Sequence, residues 1–382
     1  DVQVAPADPE DVHKADDRFP RSFAPSRSQP TPYLKSKTNL LTLEIALSLS
    51  IPGPSHTQSE GLTVLRRLAL RLRLHFRVAS FVVMKIIVTG ATGLIGRYLF
   101  QKVPDFVTAR GISRTKSGPR AMSFRRLDLT DFRAVSDFFE SESFDAVIHT
   151  AAEGRVDFVE GALSKFRLLN VEVPRWLADI SRERRAHFVF VSSNAVFGGR
   201  ERPYADFDPL GPVNDYGRLK MEAEQAVVEA FPEAALVRPI LVYGWPNAAG
   251  RSNLAQKIID DLRTGKQVRA LTDVVTQPLY AGDIARVLWK VASEGFAGPL
   301  NVSGGQTLTI YQFAVLVAQV FGLDPSLIQP VEFSKMGDLS RRPGRTTFTL
   351  ERLRDELDYE PLATLEGLNR MRDEQEVPRL SS

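Results

Sequence analysis

The sequence contains no cysteine and is poor in histidine, with 5 histidines in 382 residues. The absence of cysteine excludes a disulfide framework, a thiol nucleophile and every cysteine-liganded zinc or iron–sulfur site. The histidines follow no spacing typical of metal ligands, so no metal site is predicted. His149 ends an apolar stretch, where packing in a core is the expected role.

The chain also carries little net charge outside its first part. Residues 1–83 contain 11 Lys and Arg against 8 Asp and Glu, whereas the remaining residues contain 38 of each kind. Because the main body is neutral, the sequence pI of about 9.0 gives no indication of a nucleic-acid partner. The apolar stretch Leu40–Ile51 is short and is interrupted by Glu44, so it does not predict a membrane span.

Residues 1–83 differ from the rest of the chain in composition. They hold 8 of the 24 prolines, and residues 8–32 show no hydrophobic period. Residues 62–76 have the pattern of a basic amphipathic helix, which favours an organelle-targeting or membrane-surface element as an alternative. We expect residues 1–83 to be a disordered or processed N-terminal extension, with a cytoplasmic location for the main body unless this extension directs the protein to an organelle.

From Met84 onward, short apolar runs alternate with polar helical stretches. Strands are predicted at Lys85–Thr89, Val107–Ser113, Asp145–Thr150 and Phe188–Ser192, and a helix at Tyr98–Val103. This alternation predicts an α/β fold with a Rossmann-like, doubly wound parallel sheet. The alternation loosens after Leu241. We therefore expect an NAD(P)-binding domain with the catalytic residues at 84–240, and a small C-terminal substrate-binding region at 241–382 that is partly interleaved with the sheet.

A glycine-rich turn follows the first predicted strand with the spacing Gly-x-x-Gly-x-x-Gly. Glycines allow a tight turn and let the backbone approach a pyrophosphate at the start of the next helix. The spacing alone is also compatible with a structural turn, but the strand before it and the helix after it favour a dinucleotide site. The predicted cofactor-binding residues are Gly90, Thr92, Gly93, Leu94, Ile95 and Gly96.

The end of the second predicted strand bears on the choice of cofactor. An acidic residue there would bind the ribose 2′-hydroxyl of NAD, but the sequence reads Ser-Arg-Thr-Lys from Ser113. Arg114 suits the 2′-phosphate of NADP, and an ordinary exposed arginine is the alternative. NADP is therefore preferred, and NAD stays open. Asp128 and Leu129 are positioned to contact the adenine.

Tyr216 and Lys220 are four residues apart, so on a helix they share one face. A tyrosine exchanges protons poorly at neutral pH, and a neighbouring ammonium is expected to lower its pKa towards the working range. Ser193 follows a buried strand, where its hydroxyl could bind and polarise a substrate carbonyl oxygen. In this order along the chain, the three residues predict a catalytic triad.

With these motifs, the chain resembles the extended short-chain dehydrogenase/reductase superfamily, and within it the dTDP-4-dehydrorhamnose reductase-like branch (RmlD-like), itself close to the NAD-dependent epimerases. The resemblance covers about residues 84–368 and leaves residues 1–83 unmatched. Further stretches that carry it are Val147–Ala152, Asn170, Pro212–Gly217, Glu224, Arg238-Pro239, Gln277–Tyr280, Asp283–Ala285 and Arg342-Pro343.

The resemblance implies the reduction of a 4-keto sugar nucleotide, with hydride from the nicotinamide and a proton from Tyr216. It also implies Asn170 as a supporting catalytic residue and Ala151 and Ala152 as cofactor contacts. Ser193 and Asn194 would contact the substrate. Trp245 and Arg342 are candidates for the nucleotide part of the substrate, although a core tryptophan and a surface ion pair are the simpler interpretations. The implied partner is a small molecule, and a homodimer stays open.

The residues after Ser193 depart from the reductase pattern. Ser192–Gly198 is similar to the Ser-Ser-x-Ala-Val-Tyr-Gly stretch of sugar-nucleotide epimerases, which hold NAD tightly. Nucleotide-sugar dehydratases carry an Asp-Glu pair directly after the hydroxyl residue, and its absence here argues against that activity. A third alternative is a non-catalytic, NADP-binding subunit similar to the regulatory subunit of methionine adenosyltransferase. Intact Ser193, Tyr216 and Lys220 argue against it.

Overall fold

The protein is described by a computed structural model that covers residues 83–114, 123–247, 251–335 and 343–376. The predicted N-terminal extension, apart from Val83, lies outside the described residues, and so does Arg342. For the described part of the chain, the division into two domains at residue 240 stays a prediction.

Seven parallel strands form the central sheet, and this confirms the predicted α/β class. The strands lie in the order β11-β6-β5-β4-β1-β2-β3. Six of them come from the first part of the chain, whereas β11 comes from beyond residue 241. Their bounds are β1 Met84–Thr89, β2 Val107–Ser113, β3 Ser123–Arg126, β4 Ala146–His149, β5 His187–Val191, β6 Ala235–Pro239 and β11 Gly298–Val302.

The remaining strands are short and pair away from this sheet. β7 pairs with β10, β8 with β13 and β9 with β12, of which only the last pair is antiparallel. Their bounds are β7 Val242–Tyr243, β8 Val268–Leu271, β9 Val275–Thr276, β10 Leu279–Tyr280, β12 Leu308–Thr309 and β13 Ile328–Val331. All six belong to the predicted substrate-binding region.

Helices connect the strands. Their bounds are α1 Leu94–Gln101, α2 Phe132–Ser141, α3 Val156–Val159, α4 Leu163–Arg167, α5 Val173–Glu183, α6 Asp215–Ala230, α7 Leu254–Arg263, α8 Ala281–Glu294, α9 Ile310–Val320, α10 Glu351–Asp355 and α11 Thr364–Glu376. A π-helical turn at Leu168–Glu172 joins α4 to α5, and 3-10 turns lie at Asn194–Val196, Pro325–Leu327 and Phe333–Lys335. None of the helices within the described ranges combines the length and apolar character needed to cross a lipid bilayer.

The period of two along β1 assigns the helices to the two faces of the sheet. Ile86 and Val88 belong to a core shared with α1 and α8, which contribute residues such as Leu99 and Leu288. Ile87, between them, belongs to the opposite core, together with Leu219 of α6. Successive strand residues point to opposite faces, so an unbroken apolar run is buried on both sides. This is the doubly wound arrangement that the sequence predicts.

The C-terminal helix α11 is held against α1 by a shared carboxylate. Tyr98 of α1 donates a hydrogen bond to Glu374 Oε2 at 2.6 Å, and Tyr280 at the end of β10 donates to Glu374 Oε1. The Tyr98 hydroxyl also accepts from the Trp245 backbone amide at 3.0 Å. These bonds connect the last described helix to the helix that follows the glycine turn.

The two edge strands of the sheet are both protected. β3 is four residues long and ends in two exposed arginines, Arg125 and Arg126. β11 contains Pro299, which has no N–H to donate. The guanidinium of Arg352 in α10 donates to the carbonyl oxygens of Pro299 and Ala297, so α10 covers backbone acceptors next to this edge.

Candidate functional site

The glycine turn lies between β1 and α1, with each glycine in a different role. Gly90 has φ +68°, and a Cβ there would lie 2.6 Å from Thr150 Oγ1 and 2.7 Å from the Ala151 backbone nitrogen. A Cβ on Gly96 would lie 2.4 Å from the Gly90 carbonyl oxygen, so α1 begins directly against the turn. The Gly93 amide closes the turn by donating to the Gly90 carbonyl at 2.9 Å. Only glycine fits the first and third positions without a shift of backbone.

The start of α1 has the character of an anion site. Gly93 is its N-cap residue, no side chain caps the helix, and its first turn contains no acidic residue. Helix amides without a capping side chain, at the positive end of the helix dipole, favour a phosphate. Leu94 and Ile95 supply such amides. The close-packed glycines and the uncapped helix therefore fit the pyrophosphate of a dinucleotide cofactor.

Residues 245–247 lie beside this turn. Arg97 of α1 donates to the carbonyl oxygens of Trp245 and Pro246 at 2.6 and 2.5 Å, and the Asn247 side chain donates to the Thr92 carbonyl at 3.0 Å. Thr92 is therefore fixed through its backbone, which leaves its side chain for other contacts.

The predicted adenine-side residues surround the end of β2. Arg114 is exposed and directly follows β2. The Asp128 carboxylate accepts from the amide and the hydroxyl of Thr130 at 3.0 and 2.8 Å. These bonds, and more weakly the charge of Arg114, hold the pKa of Asp128 below its usual value. Leu129 is 5% exposed and belongs to the core, so its side chain contributes little surface for an adenine ring.

Two residues after β4 border the glycine turn. Ala151 is half-buried and Ala152 is exposed, and the Thr150 amide donates to the Thr89 carbonyl at the end of β1. Ligands of open α/β sheets bind outside the carboxyl ends of the strands. Ala151 and Ala152 lie at this carboxyl edge of the sheet, and their contacts with a cofactor stay a prediction.

The beginning of α6 brings Tyr216 and Ser193 together. Asn214 caps the helix by accepting from the Gly217 amide at 2.8 Å. A Cβ on Gly217 would lie 2.2 Å from the Ala195 carbonyl, so α6 begins against the 3-10 turn that follows Ser193. Ser193 accepts from the Ala195 amide at 3.2 Å, and its hydroxyl is near enough to that of Tyr216 to lower the pKa of the phenol. Close packing at one glycine therefore places the two hydroxyls side by side.

The pKa of Tyr216 is raised above its ordinary value, mainly because the hydroxyl is buried. The neighbouring Ser193 hydroxyl and the charge of Arg251 act in the opposite direction, and the charge of Glu153 adds to the rise. The sequence analysis predicts that Lys220 lowers the pKa of Tyr216. This prediction is wrong for the protein without its ligands, because burial has the larger effect. Tyr216 is consequently protonated at neutral pH.

Lys220 is deeply buried, with 1% of its surface exposed. Its Nζ donates to the Val191 carbonyl at 2.8 Å and lies 4.2 Å from the centre of the Phe190 ring. Burial lowers the pKa of Lys220 to about 7, and the charge of Glu224 raises it. The ammonium therefore loses its proton close to neutral pH, a property typical of groups that act in proton transfer.

The structure distinguishes the two serines at the end of β5. The Ser192 hydroxyl donates to Glu224 in the interior, and this residue is 4% exposed. Ser193 is half-buried and faces Tyr216. Asn194, next in the chain, is half-buried and begins the 3-10 turn. These contacts favour Ser193 over Ser192 as the catalytic hydroxyl.

Asn170 lies in the π-helical turn and holds a loop next to the site. Its Oδ1 accepts from the Glu153 amide at 2.9 Å, and its Nδ2 donates to the Glu153 carbonyl at 3.1 Å. Both ends of the side-chain amide are thus committed to one backbone unit. We assign Asn170 a positioning role for the loop after β4.

A charged cluster that the sequence did not predict faces Tyr216. Glu153 accepts from Arg155 at 2.9 and 2.7 Å, and Arg251 lies 3.5 Å from the same carboxylate. A Cβ on Gly154 would lie 3.2 Å from Arg251 Nη2 and 3.9 Å from the Tyr216 hydroxyl, so the guanidinium and the phenol are near neighbours. Only the position of Glu153 in the loop after β4 could have drawn attention to this cluster.

The remaining predicted residues take other positions. Trp245 is 7% exposed, its indole nitrogen donates to the Met371 carbonyl at 2.6 Å, and its ring packs edge-on against Phe321. This placement favours core packing over a substrate contact. His149 is buried, with Nδ1 2.7 Å from Thr89 Oγ1, and burial lowers its pKa to about 3. Within the described ranges, no group of three or more His, Asp or Glu side chains is placed to hold a metal ion.

Comparison with known proteins places the chain in a family. A relative from Streptomyces antibioticus, a probable dTDP-4,6-dihydroxy-2-methyloxan-3-one 4-ketoreductase, is 32% identical over 68% of this chain and 83% of its own length. Methionine adenosyltransferase 2 subunit beta from Xenopus laevis is 31% identical over 67% of this chain and 77% of its own length.

A solved structure shows the same fold. The dTDP-4-dehydrorhamnose reductase from Bacillus anthracis, in complex with NADP, matches with a TM-score of 0.70 and 24% identity, over 76% of this chain and 99% of that chain. The family model of the RmlD substrate binding domain matches residues 84–377, more than three quarters of the chain. The chain therefore belongs to the RmlD substrate binding domain family, the RmlD-like branch of the extended short-chain dehydrogenases/reductases.

Proposed function

We propose that this protein is an NADP-dependent oxidoreductase that reduces the keto group of a 4-keto sugar nucleotide. The observation that carries the proposal is the pair of neighbouring Ser193 and Tyr216 hydroxyls, with Lys220 one helical turn away, at the edge of the sheet that also holds the glycine turn. The Streptomyces antibioticus relative, described as a 4-ketoreductase, supports the same reaction.

The residues of the site suit a reduction. A carbonyl oxygen that accepts from both hydroxyls would be polarised by Ser193 and would receive its proton from Tyr216. Tyr216 is protonated at neutral pH, as a proton donor must be. A positive charge on Lys220 would lower the free energy of the phenolate that forms after proton transfer. A nicotinamide cofactor, when bound, supplies the hydride for the carbonyl carbon.

Three parts of the chain would hold the cofactor. The backbone of the glycine turn and the first amides of α1 would bind the pyrophosphate. Arg114 would contact the 2′-phosphate, and the absence of an acidic residue directly after β2 favours NADP over NAD. The half-buried Ser193 and Asn194 would border the substrate. Arg251, close to the Tyr216 hydroxyl, is placed to meet an anionic group of a bound sugar nucleotide.

Two alternatives differ from this proposal in cofactor exchange or in catalysis. An epimerase would hold NAD tightly, so the purified protein would still show the absorbance of the bound cofactor. A regulatory subunit is favoured by the similarity to methionine adenosyltransferase 2 subunit beta, but the triad, which a scaffold does not need, argues against it. We also propose a cytoplasmic location, no nucleic-acid partner for the neutral main body, and a homodimer as the assembly.

The test uses the purified full-length chain with a panel of 4-keto-6-deoxy sugar nucleotides. Oxidation of NADPH in preference to NADH, followed by absorbance, is the expected result. The Tyr216→Phe variant should lose turnover by about a factor of 10³, because it lacks the proton donor, while it still binds NADPH. Tight NADPH binding without turnover of any member would contradict the reductase proposal and favour a regulatory subunit.

A further inference from the structure

A buried ion pair includes Glu224, one helical turn after Lys220. Arg238 and Glu224 are 4% and 3% exposed. Arg238 Nε lies 2.9 Å from Glu224 Oε1, and Arg238 Nη2 lies 2.6 Å from Oε2. Arg238 Nη1 donates to the Asp206 carbonyl at 2.8 Å. A buried pair of this kind is weak evidence for stability, because desolvation of two charges offsets their attraction. What the pair contacts is therefore more informative.

Glu224 joins the elements that carry the reacting groups. It follows Lys220 by four residues on α6, so the two side chains share a face of that helix. Its Oε1 also accepts from the Ser192 hydroxyl, and Ser192 directly precedes Ser193 at the end of β5. Arg238 anchors the same carboxylate to β6. The strand that presents Ser193 and the helix that presents Tyr216 and Lys220 thus meet at one carboxylate.

Among the residues that the structure describes, few charges act on Lys220. On β4, His149 interacts with Lys220 and is neutral above pH 3, because burial lowers its pKa to about 3. On α6, Glu224 is the group that raises the pKa of Lys220, and Tyr216 is protonated at neutral pH. Arg238, on β6, faces Glu224. One carboxylate therefore opposes the loss of the proton that burial of Lys220 favours.

We propose that Glu224 is a positioning residue of this site, which keeps the buried Lys220 ammonium charged and ties the Ser193 strand end to the catalytic helix. The consequence for turnover rests on the proposed reductase function. The consequence for Lys220 does not, because it concerns the protein without substrate.

The test follows the titration of Lys220 in the full-length chain labelled with ¹³C at lysine Cε, by NMR, with Lys220→Arg to assign the signal. The wild-type midpoint is expected near 7. In Glu224→Gln it should fall by about one pH unit, the size typical of losing an opposite charge. Ser192→Ala, which removes the hydrogen bond and keeps the carboxylate, should leave the midpoint in place. Asp283→Asn removes another buried carboxylate and is the matched control, with no shift expected.

Turnover gives the second measurement. Above both midpoints, Glu224→Gln should lose about tenfold in kcat, because the charged fraction of Lys220 falls about tenfold for each unit of pKa, and the loss should shrink at pH 6. Ser192→Ala should lower kcat several-fold at every pH. If Glu224→Gln does not fold, Glu224→Gln/Arg238→Met removes both charges of the pair, and its midpoint should fall as well.

Two outcomes overturn the proposal. A Lys220 midpoint that is the same in wild type and in the Glu224 variant removes the electrostatic role, and an equal shift in Ser192→Ala shows that the carboxylate charge is not its cause. A wild-type protein that turns over no sugar nucleotide contradicts the proposed function instead, while the NMR titration still decides the role of Glu224.

Discussion

The two helices that border the site begin in opposite ways. α1 begins after Gly93 with no side-chain cap and no acid in its first turn. α6 begins with Asn214 as its cap and with Asp215, whose carboxylate accepts from the Gly161 amide at 2.8 Å. The first backbone amides of α1 therefore have no capping side chain. At the start of α6, a side chain of the protein itself accepts a hydrogen bond from a backbone amide of the helix.

This difference separates the two tasks of the site. An uncapped start offers backbone amides to an anion, so the identity of nearby side chains matters less than the absence of Cβ atoms. A capped start is fixed in place, so it can hold Tyr216 and Lys220 in a defined position. Each helix is pressed against a turn at a glycine, Gly96 in α1 and Gly217 in α6. Substitution of these two glycines should therefore affect binding and turnover separately.

The largest effect is expected for Gly217→Ala. Its Cβ would lie 2.2 Å from a backbone oxygen, so α6 must move away from the turn that carries Ser193. Displacement of a catalytic group by about 1 Å lowers kcat by roughly a factor of 100. Steady-state kinetics with NADPH would measure this loss. Gly211→Ala is the matched control, because a Cβ there meets nothing within 4 Å; an equal loss in both variants would contradict the argument.

Gly96→Ala should act on binding instead. The strain of a misplaced backbone is about 1–3 kcal/mol, which corresponds to a rise of roughly 30-fold in the Kd for NADPH. Fluorescence titration would measure Kd, and kcat at saturating cofactor should change less than in Gly217→Ala. Unchanged affinity would show that the turn does not hold the cofactor.

Arg114→Ser tests whether Arg114 binds the 2′-phosphate of NADP. Loss of a charge-assisted hydrogen bond costs about 1.5–3 kcal/mol, so the Kd for NADPH should rise by at least about tenfold while that for NADH stays the same. A parallel titration with both cofactors checks this. An equal change for NADPH and NADH would mean that Arg114 does not contact the 2′-phosphate.

The smallest effect is expected for Asn214→Ala, which removes the cap of α6. Loss of a cap lowers the free energy of unfolding by about 1 kcal/mol, and denaturant unfolding would measure the decrease. Asn214→Ser keeps a capping hydroxyl and should recover most of the stability. Equal loss in both variants would assign the effect to packing around this buried residue.

The sequence predicted the bounds of four of the seven strands of the central sheet, because buried strands of a parallel sheet appear as short, unbroken apolar runs. The predicted β2 has the bounds found, and the other predicted strands differ by one or two residues. The first helix was predicted at Tyr98–Val103 but begins at Leu94. Because glycine disfavours helix, the sequence pattern predicts a helix that starts later than the one observed. Gly96 nevertheless lies inside the helix, because its close contact with the turn leaves no room for a Cβ.

The residues of the site fall into two groups by the same reasoning. Ser193, Tyr216 and Lys220 could be predicted because each has a fixed place relative to a strand end or a helix start. Arg251 could not, since only the three-dimensional fold brings it beside Tyr216. The upward shift in the pKa of Tyr216 also escaped prediction, because it depends on burial. Whether Trp245 contacts substrate or core is likewise a matter of tertiary packing.

The protection of both edges of the central sheet has a consequence for the behaviour of the protein at high concentration. Unpaired edge strands are templates for aggregation, and short strands, charged side chains, proline or a covering element prevent it. Arg125 and Arg126 lie on β3, while Pro299 and the Arg352 contacts guard β11. Continuation of the sheet from one copy to the next is therefore disfavoured at either end, which leaves the helical faces as the surfaces suited to self-association.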